Sequence, residues 1–136
     1  MSSKVVDIGI LIIRLVIGIL FIGHGSQKLF GWFGGNGLTG TGGWFDSIGI
    51  KPGVTMALLA GLAEFVGGIM FAIGLLTPLS GILIAGTMIV SVVKVHGANG
   101  LWAQANGYEY NLTLIAVSVG IALIGPGQYA LDSLFF

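Results

Sequence analysis

The stretch FIGHGSQKLFGWFGG, residues 21–35, sets three polar side chains, His24, Gln27 and Lys28, at the end of an apolar run. That run covers residues 8–30. A helix rising about 1.5 Å per residue over that length would cross a hydrocarbon core of roughly 30 Å. A membrane span should exclude such residues, so the stretch raises the question of what they meet.

Outward from this segment, the chain is 55% hydrophobic and only 7% charged, with a mean hydropathy of +1.03. A soluble domain carries roughly 25% charged residues to keep its surface wet. Too few are present here to cover a water-facing surface, which points to an integral, multi-pass protein of the cell membrane, in contact with the lipid bilayer. The formal net charge is zero, so no basic surface invites nucleic acid. The absence of cysteine excludes disulfides, thiolate nucleophiles and cysteine-ligated clusters. A length of 136 residues suits one domain, 1–136.

Three further apolar segments occupy residues 54–76, 79–96 and 108–125. Backbone groups in lipid must be paired within a segment, so each reads as a helix. The expected fold is all-α, a four-transmembrane-helix antiparallel bundle. Thr77-Pro78 makes a tight turn between the second and third spans, which must then be antiparallel neighbours. Two connections, 32–53 and 97–107, are rich in glycine and hold Trp32, Trp44 and Trp102. Indole rings favour the membrane–water interface, and four crossings put both loops on one side. The tail QYALDSLFF after Gly125-Pro126-Gly127 reads as interfacial. The first apolar run is longer than a signal-peptide core and lacks a small-residue cleavage site, so it is expected to remain as a span.

Ionisable residues within spans are costly and face the bundle interior. Arg14, His24 and Lys28 fall within about 80° of arc on one helical face. Glu64 lies on a face built from Ala57, Gly61 and Gly68, small residues that let helices approach closely, so it points into a helix contact. Arg14 is its expected partner, with Glu64 about a turn and a half away along the bundle. Thr87, Ser91 and Lys94 form another stripe, His96 follows, and Glu109 and Asn111 open the fourth span. These groups predict a polar chamber beneath the two loops. GNGLTG at 35–40 fits a dinucleotide-binding pattern but has no strand before it, and NLT at 111–113 opens a membrane helix. No metal site is assigned.

The sequence resembles the DoxX family of small bacterial four-helix membrane proteins over nearly its whole length. RLVIGILFIGHGSQKLFG at 14–31, AEFVGGIMFAIGLLTPLSG at 63–81 and GYEYNLTLIAVSVGIALIGPGQYALD at 107–132 carry the resemblance. The long glycine/tryptophan loop and the Lys94-Val-His96 end are similar to its catechol- and quinone-responsive branch. The resemblance implies redox chemistry at the membrane and maps the family's recurring polar positions onto Arg14, His24, Lys28, Glu64, Lys94, His96 and Glu109.

Together these readings predict a membrane oxidoreductase, or its membrane subunit, whose chamber takes a quinone, a catechol or another small anion. Glu64, Glu109, His24 and His96 are the candidate catalytic residues, with Glu64 or Glu109 handling protons. Lys28, Lys94, Asn111 and Arg14 are the candidate binding residues, and the lysines and histidines would donate hydrogen bonds to ring oxygens. Electrons would come from a bound cofactor or a soluble redox partner, and a haem held by His24 and His96 is a lesser cofactor alternative to quinone. The competing reading is a non-enzymatic scaffold or small-molecule permease with the same charges as structural ion pairs. Lys28, Lys51 and Lys94 on the loop side against Lys4 and Arg14 on the other leave orientation open.

Overall fold

The computed structural model describes residues 3–136, and every regular element among them is helical. Helix α1 (Ser3–Leu29) is followed by α2 (Gly37–Ser47), α3 (Gly53–Ile73) and α4 (Thr77–Ser91). A π-helical turn, Val92–His96, and a 3-10 turn, Gly97–Asn99, continue α4. Helix α5 (Glu109–Ile124) and the short α6 (Asp132–Phe135) complete the chain. Among the described residues three helical runs are long and apolar enough to cross a membrane: α1, α3 and residues Thr77–Asn99. Helix α5 is apolar but has only 16 residues, about 24 Å of rise.

Helices α1 and α3 share the most extensive contact; α4 lies against α3, and α5 against α4. Glycine sets the distance between α1 and α3. A methyl group added at Gly18 would lie 2.6 Å from the Gly68 carbonyl oxygen, and one at Gly25 would lie 2.5 Å from the Phe65 nitrogen. Only hydrogen fits at either position. Between α4 and α5 the same device recurs, where a methyl at Gly81 would meet the Ser118 carbonyl oxygen at 2.7 Å. Phe21, Phe71, Ile84, Leu114 and Ile121 form the buried core, one or two from each of these four helices.

The outward faces are apolar. Ile12, Val16 and Ile19 on α1 are each more than half exposed, while Arg14 and Ser26 on the same helix are buried. Leu62 on α3, Leu79 on α4 and Leu123 on α5 extend the exposed apolar surface, and Glu64, Ser80 and Ser118 are inside. Such a surface requires lipid as its solvent.

Three local differences from the sequence reading have physical causes. Residues 32–53 read as an open connection, yet α2 forms within it. Thr41, Gly42 and Phe45 recur at helical spacing and are the buried residues of α2, which rests on α3. The abundance of glycine masked that period. The turn between α3 and α4 lies at Gly74–Leu76 rather than at Thr77-Pro78. Gly74 ends α3 with φ 71°, and Pro78 sits in the first turn of α4, where a missing N–H costs nothing. The tail folds back on the helix ends, a contact absent from the sequence reading. Leu131 and Asp132 N–H groups donate to the carbonyls of Ile73 and Gly74 at 3.1 and 2.8 Å. The Asp132 carboxylate accepts the Leu76 and Thr77 amides at 2.6 and 2.9 Å, satisfying donors at the start of α4.

Burial acts to raise the Asp132 carboxyl, but the Thr77 and Leu76 hydrogen bonds and the Arg14 charge outweigh it and hold it below the usual carboxylate range. A carboxylate depressed in this way contributes stability above its unfolded value, about 3.9, and that contribution is lost as pH falls through the folded value. The melting-temperature difference between wild type and Asp132→Asn in detergent should therefore be constant above about pH 5 and shrink below about pH 4. A difference that grew on acidification would contradict this role. At the α1–α3 seam, Gly18→Leu should cost about 3 kcal/mol or more by overpacking, whereas Gly9→Leu, where an added methyl meets nothing within 4 Å, should be near neutral. Thermal denaturation of both variants checks the contrast.

Candidate functional site

A cavity of about 800 Å³ opens among the helices. Its polar lining comes from His24 and Lys28 of α1, Glu64 of α3, Thr87 and Ser91 of α4, Lys94 and His96 of the π turn, and Tyr110 and Asn111 of α5. Asn106 lines it from the loop before α5, and Trp44 and Phe45 line it from α2. Most of the remaining wall is apolar, including Met56, Leu59, Ile82 and Met88.

At the α1–α3 wall the Lys28 ammonium meets the Glu64 carboxylate at 2.7 Å. The Glu64 side chain is 4% exposed and that of Lys28 24%. Gly61, one turn before Glu64, makes the approach possible: a methyl there would strike the Leu29 side chain at 2.8 Å and sit 3.3 Å from Lys28 Cβ. Lys28, not Arg14, is therefore the partner of Glu64. Arg14 lies fourteen residues earlier on α1, about 21 Å along the axis. It is completely buried and donates to the carbonyls of Ala72 at 3.3 Å and Tyr129 at 2.6 Å. Its guanidinium bridges α3 and the folded-back tail, and Arg14 does not line the cavity.

Both histidines are oriented by carbonyl oxygens. His24 Nδ1 lies 3.3 Å from Gln27 Oε1, and Gln27 Nε2 donates to the Phe33 carbonyl at 3.1 Å. His96 Nδ1 lies 2.9 Å from the Asn106 carbonyl, which also accepts from Asn99 at 3.0 Å. Asn111 is buried, with its amide 3.5 Å from Met88 Sδ. Lys94 is exposed and has no ion-pair partner among the described residues. It projects from a π turn, an interruption of the α-helical ladder that occurs often at functional sites.

The DoxX family model matches residues 9–97, from α1 through the π turn. The chain belongs to the DoxX family. Over 134 residues it is 32% identical to "Putative oxidoreductase CatD" of Bacillus subtilis (strain 168), covering 98% of this chain and 92% of that one. It is 30% identical over 132 residues to "Inner membrane protein YqjF" of Escherichia coli (strain K12), covering 97% and 95%. A third relative, "Uncharacterized membrane protein Rv3486" of Mycobacterium tuberculosis (strain ATCC 25618 / H37Rv), is 28% identical over 133 residues, 90% and 78% of the two chains. No solved structure matches. With its long apolar helices, this DoxX protein is a membrane protein.

Of the eight residues singled out from the sequence, six line the DoxX cavity: His24, Lys28, Glu64, Lys94, His96 and Asn111. Arg14 and Glu109 do not. The Glu109 carboxylate accepts the Ala103 amide at 3.1 Å and so closes the loop that precedes α5. Trp44, Phe45, Asn106 and Tyr110 were not singled out as site residues. The helical spacing of Thr41 and Phe45 was the available signal for α2, and Tyr110 stands next to Asn111 in the quoted YEYN. Nothing in the local sequence points to Asn106, whose contribution is a backbone carbonyl.

Chemically, Lys28 and Glu64 neutralise each other, and Lys94 remains as a positive charge in a lining that also holds the imidazoles of His24 and His96. Among the described residues the cavity thus offers one unpaired cation and several hydrogen-bonding groups inside apolar walls. Breaking a buried ion pair from one side leaves an uncompensated charge, whereas removing both charges does not. Lys28→Met and Glu64→Leu should each cost about 3 kcal/mol, and the double variant less than either single. Glu64→Gln should cost less than Glu64→Leu, because its amide can still accept from Lys28. Denaturation in detergent across the four variants tests the pair; a double variant as costly as the sum of the singles would exclude it.

Proposed function

We propose that this DoxX protein is a redox-linked, four-crossing membrane protein whose cavity binds a quinone or catechol-type ring. In this reading α5 is the fourth crossing, completed by its flanking interfacial residues, and the chain acts as one domain. The observation that carries the proposal is the convergence of Lys94, His24, His96 and Asn111 on one apolar-walled cavity. A planar oxygenated ring needs apolar surface for its faces and hydrogen-bonding groups at its oxygens. It also needs a proton route when it changes redox state, and Glu64 and the histidines supply groups of that kind. The word oxidoreductase in the name of the Bacillus subtilis relative agrees with this reading. Electrons would reach the ring from a bound cofactor or a soluble partner.

Lys94 is the residue to test, since Lys28 is also part of the fold's ion pair. Lys94→Ala should leave the melting temperature within a degree or two of wild type and weaken binding of catechols and quinones about tenfold, the worth of one charge-assisted hydrogen bond. Titration of purified wild type and variant in detergent measures both. Equal affinity in the two would remove Lys94 from the site. Binding without electron transfer to or from any supplied donor or acceptor would favour a permease or scaffold.

A further inference from the structure

We propose that His24 and His96 present hydrogen-bond acceptors to the cavity, so that the site selects a hydroxyl-bearing ring over the corresponding quinone. This rests on the aromatic-ligand reading above and assigns the redox form that the site holds best.

The assignment follows from which ring nitrogen of each histidine is already committed. His96 Nδ1 lies 2.9 Å from a backbone carbonyl, that of Asn106, which can only accept. A hydrogen bond there requires Nδ1 to carry the proton. For His24 the partner is an amide side chain, whose orientation is fixed one step further out. Gln27 Nε2 lies 3.1 Å from the Phe33 carbonyl, again an obligate acceptor, so the amide nitrogen must face Phe33. Gln27 Oε1 then faces His24 Nδ1 at 3.3 Å, and that nitrogen too is the donor. In a neutral imidazole the other nitrogen is left with a lone pair. Both rings line the cavity, and neither Nε2 has a partner among the described residues.

A pair of neutral imidazoles arranged this way accepts hydrogen bonds rather than donating them. A quinone oxygen can only accept, so against either Nε2 it would place lone pair against lone pair. A diphenol has O–H groups to donate, and Lys94 can donate in turn to an oxygen of the same ring. Gln27 and Asn106 are positioning residues: they touch the histidines and set their tautomers. The donor role expected for both histidines from the sequence is thereby reversed for the neutral rings.

The experiment uses the full-length protein in detergent under anaerobic conditions. Its probes are tetramethylhydroquinone, its quinone and its dimethyl ether, three ligands built on one ring whose methyl groups block addition of lysine. The quinone is the close match in size, and the ether is the control without O–H donors. Calorimetric titration should give tighter binding of the hydroquinone by about tenfold or more over both others. His96→Phe and His24→Phe should each reduce that preference. Independently of any ligand, ¹⁵N-imidazole spectra of the protein at pH 8 should show both rings protonated at Nδ1, and Gln27→Leu should release that preference for His24 alone. Equal or tighter binding of the quinone, or Nε2-protonated rings in the free protein, would overturn the inference and leave the aromatic site standing. Failure of all three ligands to bind would overturn the proposed function, and this inference with it.

Discussion

Lys28 can reach Glu64 only because α1 and α3 touch at glycines. Gly18, Gly25, Gly61 and Gly68 bring the two backbones to a distance at which any side chain would collide. At that separation a lysine from one helix reaches the carboxylate of the other at 2.7 Å. The seam and the ion pair depend on each other. A carboxylate in the middle of an apolar helix is costly unless paired, and close packing in lipid lacks the hydrophobic driving force available in water. The pair gives the seam an electrostatic reason to stay closed, and the seam excludes the solvent that would weaken the pair.

Helix α1 carries two buried or half-buried cations, and the fold treats them differently. Arg14 donates from its two terminal nitrogens to the carbonyl oxygens of Ala72 and Tyr129, its buried Nε has no partner among the described residues, and the carboxylate of Asp132 contributes its field nearby. Its planar fork of donors suits several acceptors at once. Lys28 has a single point charge and takes a single carboxylate. Arg14 therefore ties the C-terminal segment to the helix ends, while Lys28 sits on the wall of a cavity. One end of the molecule is fastened by backbone hydrogen bonds, and the other is left hollow.

Much of the cavity was legible because helical periodicity fixes which residues of one helix share a face. The small-residue face of Glu64 and the stripe of Thr87, Ser91 and Lys94 needed no knowledge of a second helix. What periodicity does not supply is the axial offset between helices. Arg14 and Lys28 share a face of α1, so angular position could not choose between them as partners for Glu64; only the register against α3 could. The contacts of the tail and of Glu109 escaped the sequence for a related reason. Their partners are backbone groups at helix ends and in loops, and backbone groups carry no residue-specific signal. The state of the histidines lay beyond the sequence on the same ground, since it depends on the carbonyls of Phe33 and Asn106.

The charges that remain after this internal pairing constrain what the cavity can hold. Had Lys28 been free, the site would have presented two ammonium groups, and a dianion or a strongly acidic head would have been the natural occupant. With Lys28 engaged by Glu64, one ammonium is left in the cavity among the described residues, together with two imidazoles whose Nδ1 protons are already committed. A strongly anionic ligand would find one cation and two lone pairs, the latter repelling it. A neutral ring with hydroxyl groups finds partners for both its donors and its acceptors, and apolar walls for its faces. The ion pair that closes the α1–α3 seam thus also narrows the ligand class, by removing from the cavity the second positive charge that the sequence alone would place there.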